Sequence, residues 1–296
     1  MKTTRILTRL AALISTLTIL YCWPASSAVA ASQSILLAST TSFQDSGLLD
    51  VLIPLFEKES GYVVKTITVG SGQAIKMGER GEVDLLLVHS PDTEKKFMAS
   101  GAGSASRLIM HNDFILVGPA TDPAKLLGSK KASEALKKVA DAQALFISRS
   151  DNSGTHAKES ELWKTAGIDP DNRKWYRKTG LGMGQTLFIA DDRKGYTLTD
   201  RGTYLALKNK LDLVILVEGD RNLLNIYHVI EVNAARWPKV NSAGAKAFVN
   251  FLVSPKTQKL IGSYGVDKFG ARLFIPDAGK KPEDLGLWFS GQGGGK

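Results

Sequence analysis

The chain has 296 residues, 38 Lys and Arg against 29 Asp and Glu, a formal charge of +9 and a single cysteine. One cysteine excludes an intrachain disulfide framework and a cysteine-built metal site. The positive excess is modest and spread along the chain, which suits attraction of small anions and argues against a dedicated nucleic-acid surface.

The first thirty residues read as a leader. Lys2, Arg5 and Arg9 precede the apolar run Leu10 to Cys22, and Ala28-Val29-Ala30 has the small-residue pattern of a secretory cleavage site. The run to Trp23 is shorter than the ~20 apolar residues a membrane span needs. Bulky Tyr21 before Cys22 fits poorly with lipid attachment. Residues 1–30 are therefore expected to be a signal peptide, with a periplasmic mature chain starting at Ala31. Removing it takes away three positive charges, leaving +6 on 266 residues that carry no cysteine. That length is enough for two medium lobes, each with its own core.

Ser34 to Ser39 reads as a buried strand running into the hydroxyl-rich turn Thr40-Thr41-Ser42, followed by a helix over Leu48 to Ser60 that Pro54 should kink or shift. Tyr62 to Val69 is a second, β-branched strand, followed by the turn Gly70-Ser71-Gly72-Gln73 and a short helix. Glu82 to Val88 is a third strand, followed by His89 and a helix over Asp92 to Ser100. Strand, polar turn and helix thus recur three times. The alternation predicts a sheet with parallel strands and helices on its faces, and ligands bind such sheets at the carboxyl ends of the strands. His89 sits at such an end, yet it reads as structural, because the four histidines show no metal-ligand spacing.

Arg107 to Pro119 is long for an ordinary strand and predicts a passage between lobes, with His111-Asn112-Asp113 as the hinge. A charged surface helix lies between Lys125 and Ala142, and Ala144 to Ser148 is another short buried strand. Next comes SRSDNSGTH, Ser148 to His156, then a helix to Ala166 stopped by Gly167. A helix start at a strand's end offers unpaired N–H groups and a positive dipole end. Arg149 adds a planar fork of donors, and Ser153 and Thr155 add hydroxyls. On this segment alone an ordinary helix cap beside a surface arginine serves equally well.

Beyond Gly167 the chain reads as polar loop, with Trp175 and Tyr176 covering a surface. A glycine-rich turn over Gly180 to Thr186 then enters a helix over Leu187 to Asp191. Tyr196 to Thr199 is a short strand, and Asp200 caps the next helix. Leu211 to Val217 is a core strand, and Ile226 to Val232 carries the chain back across the hinge. Ser242 to Val253 and Pro255 to Tyr264 are helices, and the tail GQGGGK is compositionally disordered. No GxxxxGKS/T loop and no GxGxxG after a strand is present, so nucleotide binding has no direct support. Ser153 and His156 lie in one segment without a GxSxG elbow, so a hydrolase is the weaker class beside a binding protein.

Together TTSFQDSGLLD, VGSGQA, EVDLLLVHSP, ISRSDNSGTH and YTLTDRGTYLALK resemble the tungstate-binding components of bacterial ABC transporters, over nearly the whole chain after the leader. The resemblance implies a type II periplasmic-binding-protein fold. This is an α/β architecture of two lobes with mixed, mainly parallel sheets joined by a two-strand hinge. Lobe I would comprise residues 31–115 and 227–296, and lobe II residues 116–226. It also implies capture of tungstate, with molybdate as a second ligand, delivery to a membrane permease, no cofactor and a monomer. Carried onto this sequence, the oxyanion contacts fall on Thr40, Thr41, Ser42, Ser71, Arg149, Ser153, Gly154 and Thr155. Ser150-Asp151-Asn152 departs from the family pattern, which has glycine and a second aspartate there. Sulfate and phosphate remain alternative ligands of the same fold; phosphate carries a proton near neutrality, and Asp45 or Asp151 could supply an acceptor for it.

Overall fold

The computed structural model describes residues 33–281 and 284–285; the expected leader and glycine-rich tail lie outside the described residues. β1 (Ser34–Thr40) is buried over most of its length and pairs in parallel with β2 (Val63–Val69) and β3 (Leu85–Val88). After β1 come α1 (Thr41–Asp45) and α2 (Leu49–Ser60), after β2 comes α3 (Ser71–Glu79), and after β3 comes α4 (Pro91–Ala99). Each parallel crossover thus places a helix start at a strand's carboxyl end.

β4 (Gly103–Gly118) runs for 16 residues. The middle of the chain follows with α5 (Ala132–Asp141), β5 (Phe146–Ser148), α6 (Gly154–Ala166), β6 (Tyr176–Lys178) and α7 (Met183–Asp192). Then come β7 (Thr197–Asp200), α8 (Arg201–Leu207), β8 (Val214–Val217) and β9 (Leu224–Val232). The chain finishes with α9 (Ser242–Val253), α10 (Pro255–Ser263), α11 (Val266–Phe269) and β10 (Ile275–Pro276). α5 shows why such segments fold as they do: Ala132, Ala135, Leu136 and Val139 form one buried stripe at helical spacing.

β4 changes partners along its length. Gly103 to Asp113 pairs antiparallel with β9, whereas Phe114 to Gly118 pairs with β7 and β8. The exchange falls at the polar His111-Asn112-Asp113 step, and Arg201 clamps it with two bonds to Asp113, at 2.6 and 2.7 Å, and one to Glu218. Packing divides in the same way. One core joins Phe43 and Phe56 from the first elements to Tyr227, Phe248 and Phe274 from the last. Another gathers Leu136, Phe146, Trp163 and Tyr196 from the middle.

Among the described residues the sheets are mixed, but five of the eight ladders are antiparallel, not mainly parallel as expected. The long β4 and β9 cause this, since each gathers antiparallel neighbours. α2 runs from Leu49 to Ser60 with Pro54 inside it, on the exposed side, and its start stays within one residue of the expected Leu48. The third strand begins at Leu85, three residues later than expected, and just ahead of it the Asp84 carboxylate accepts from the backbone N–H groups of Leu36 and Asn241. Trp175 and Tyr176 do not cover a surface but pack against Trp163 and Phe146 in the middle core.

Candidate functional site

Thr40 ends β1 and caps α1: its Oγ1 accepts from Phe43 N at 3.3 Å and lies 3.2 Å from Ser42 Oγ. The expected hydroxyl turn is thus a strand end plus one helical turn, with Thr40 and Ser42 buried and Thr41 half-buried. Ser71 opens α3 directly after Gly70, so the expected glycine turn is a helix start as well. Its Oγ is buried with no hydrogen-bond partner.

Arg149 leaves the end of β5 and is only 1% exposed. Nη2 donates to Thr41 Oγ1 at 3.1 Å and to Asp151 Oδ2 at 2.5 Å, and Nη1 donates to Thr155 Oγ1 at 3.4 Å. Its Nε has no partner. Asp151 Oδ1 also accepts from Ser153 N at 3.2 Å, and Ser153 caps α6 by accepting from His156 N. Ser150 and Asn152 are left-handed, with φ of 47° and 58°. That conformation suits the glycine of the family pattern and disfavours a serine.

Two glycines allow these segments to meet. A Cβ on Gly70 would come within 3.2 Å of Ser153 Cα, and a Cβ on Gly154 within 2.9 Å of the His89 carbonyl oxygen. The amino ends of α3 and α6 therefore lie against each other. α7 starts at Met183, four residues earlier than expected, and its Gly184 N donates to Asp45 Oδ2 at 3.2 Å. The structure thus brings all eight nominated residues to one region, where the starts of α1, α3, α6 and α7 surround Arg149. Helix amino ends and a guanidinium favour a negative charge.

Carboxyls temper that field. Burial raises Asp45, against the pull of the Gly184 N–H and of Arg149. Burial also pushes Asp200 up to about 6, opposed by its bonds from Thr203. His89 lies one layer behind: its ring is buried, its Nε2 is 3.3 Å from Ser42 Oγ, and burial lowers it to about 4. Sequence reasoning assigned Asp200 its role as a helix cap, which α8 shows, but not its place beside Arg149. It named the turn from Gly180 to Thr186 as a candidate for close backbone approach without the Asp45 contact, and it placed His89 at a strand end without its bond to Ser42.

An α/β fold with helix starts converging on a buried arginine and a ring of hydroxyls defines a substrate-binding protein. Residues 25–256 match the PBP superfamily domain. The chain is 51% identical over 249 residues to the tungstate-binding protein TupA of Peptoclostridium acidaminophilum, covering 83% of this chain and 87% of that one. A tungstate ABC transporter structure from Geobacter sulfurreducens is 47% identical with TM-score 0.72, over 79% of this chain and all of that one. The tungstate-binding protein TupA from Desulfovibrio alaskensis G20 is 46% identical with TM-score 0.71, over 83% of this chain and 99% of that one. The chain belongs to the PBP superfamily and, within it, to the TupA family of tungstate-binding proteins.

Proposed function

We propose that the protein captures tungstate, and molybdate as a second ligand, in the periplasm and hands it to the permease of an ABC transporter. The observation that carries this reading is Arg149: a fully buried guanidinium with an unpartnered Nε, ringed by Thr41, Thr155 and the starts of four helices. Ser71 Oγ adds a second buried polar atom in want of a partner. The contacts are Thr40, Thr41, Ser42, Ser71, Arg149, Ser153, Gly154 and Thr155. A fully deprotonated tetrahedral dianion needs only donors, and these residues supply hydroxyls, amide N–H groups and a guanidinium. The partner exchange in β4 and the division of the cores support two lobes, residues 31–115 with 227–296 and residues 116–226, that close on the ligand.

An enzymatic role is not part of this reading. Ser153 Oγ accepts from the main-chain N of His156, and His156 Nδ1 accepts from Asn152 N, so neither side chain is set up as a nucleophile and base pair. The carboxylate of Asp151 on Arg149 favours a second reading, in which a proton-bearing phosphate donates to it. Calorimetric titration with tungstate, molybdate, sulfate and phosphate, singly and in competition, separates the two. Tungstate displaced by phosphate at equal concentration would overturn the first reading.

A further inference from the structure

The side-chain orientation of Asn225 sets the hydrogen-bond senses behind the site. Asn225 Nδ2 donates to Asn112 Oδ1 at 2.8 Å and to the Tyr227 hydroxyl at 3.1 Å, which leaves its Oδ1 facing His89 Nδ1 at 2.8 Å. A carboxamide oxygen only accepts, so His89 carries its proton on Nδ1. In the neutral ring Nε2 is then a bare acceptor, 3.3 Å from Ser42 Oγ. Ser42 has one proton to give. It can go to Nε2, to Thr40 Oγ1, to the Tyr227 hydroxyl or to an oxyanion, but to only one of them.

A deprotonated oxyanion accepts only. When Ser42 turns its proton to such a ligand, lone pairs of Ser42 Oγ and His89 Nε2 face each other in a buried space, a repulsive and unsatisfied arrangement. The ring has little freedom to turn away. It stacks on Tyr227 with centroids 4.7 Å apart, and a Cβ on Gly154 would already lie 3.0 Å from its ring atoms. A proton on Nε2 resolves the conflict, giving an unbroken run of donors from His89 through Ser42 to the ligand.

We infer that His89 is a positioning residue for the oxyanion and that binding draws one proton from solvent onto its Nε2. The inference rests on the oxyanion reading above. Ser42 keeps its own proton throughout, and the charge gained by His89 is balanced by the incoming anion. The charged and titratable groups around the cluster are Arg149 from the turn after β5, Tyr227 from β9, and the carboxyls of Asp45, Asp151 and Asp200. Arg149 opposes a proton on His89, and the ligand's negative charge offsets Arg149. Tyr227 stays neutral because burial raises it well above its ordinary value.

Calorimetry with sodium tungstate at pH 6 to 8, in buffers of different ionisation enthalpy, reads proton uptake directly. Uptake of up to one proton per anion is expected. Affinity should then fall by up to about tenfold per pH unit over the range where the linked group titrates. His89→Gln should bind more weakly and lose that uptake, leaving only what Asp45 and Asp200 contribute. A second measurement needs no His89 variant. In protein with 15N-labelled histidine, four rings give signals, and His89 is assigned by elimination with single substitutions of the other three. Its ring should be the neutral Nδ1–H form without tungstate and doubly protonated at saturation near pH 6. Tungstate binding without proton uptake, uptake unchanged in His89→Gln, or a ring unaltered at saturation would overturn the inference while leaving the oxyanion reading intact. Failure of the parent protein to bind any of the four oxyanions would remove that reading itself.

Discussion

Asp45 and Gly184 meet although 139 positions separate them: the Asp45 carboxylate accepts the Gly184 N–H at 3.2 Å and thereby ties α1 to the amino end of α7. The contact is a side-chain cap supplied by a distant segment. Asp45→Ala removes the acceptor from a part-buried helix-start N–H and is expected to cost about 0.5–2 kcal/mol, as for loss of a side-chain cap. Asp45→Asn, which keeps an acceptor oxygen, should recover most of it. Urea unfolding of the two variants decides; an alanine variant as stable as the parent would show that the tie contributes nothing.

Arg149→Gln tests the site itself. It takes the guanidinium away from a bound dianion, at a cost of about 2–5 kcal/mol, as for other truncated buried charge pairs. At tenfold per 1.4 kcal/mol, tungstate affinity should drop roughly thirty-fold to several-thousand-fold. Calorimetry at physiological ionic strength, where exposed charges are screened, is the measurement. Binding within about twofold of the parent would return Arg149 to the status of a structural arginine.

Gly154→Ala places a Cβ 2.9 Å from the His89 carbonyl oxygen, a backbone atom that cannot turn aside. Relief requires α6 to move off the His89 segment, and overpacking of this kind costs about 1–3 kcal/mol. The same shift pulls Thr155 and Ser153 away from the ligand. Both the melting temperature and the tungstate affinity should therefore fall. Gly167→Ala, at a φ of 73° where nothing lies within 4 Å of the added atom, should lower stability alone.

Glu159 provides a stability prediction with a definite sign. It accepts from the Tyr176 hydroxyl at 2.6 Å and from Trp163 Nε1 at 3.2 Å, and burial raises it from 4.5 to about 7. A carboxyl raised in the folded state contributes stability that is fully present below 4.5 and lost as pH rises through about 7. Glu159→Gln should thus matter little at pH 5 and stabilise at pH 8, by up to about 3 kcal/mol. His89 works the other way. Its lowered value makes its contribution full above 6.5 and lost as pH falls toward about 4. Melting temperatures of parent and Glu159→Gln across pH 5 to 8 check the assignment; a constant difference would contradict it.

Legibility followed the range of the interactions involved. Strand and helix order could be read because buried runs such as Ala144 to Ser148 and stops such as Gly167 are local signals. The region of the site could be read because helix starts and hydroxyls cluster in short motifs. The proton senses around His89 could not, since they are set by Asn225, 136 positions away. Nor could the burial of Trp175 and Tyr176, which depends on Trp163 arriving from a different helix. The start of α7 was misplaced for a similar reason: its first turn is held by Asp45, which no local pattern connects to Met183-Gly184. The change of ladder balance came from the long reach of β4 and β9, and pairing partners are a property of tertiary structure.

The short β10 has a consequence for handling the chain. Ile275 and Pro276 pair with His111 and Met110 of β4, and Asp277 anchors the segment through a 2.5 Å contact to His111 Nδ1. This covers the margin of β4 beside the apolar run Leu108 to Met110. A chain cut before Leu273 would expose a row of unpaired backbone groups flanked by Ile109 and Met110, the kind of edge to which a second chain adds itself in aggregation. Truncation before Leu273 is therefore expected to favour self-association along this edge of β4.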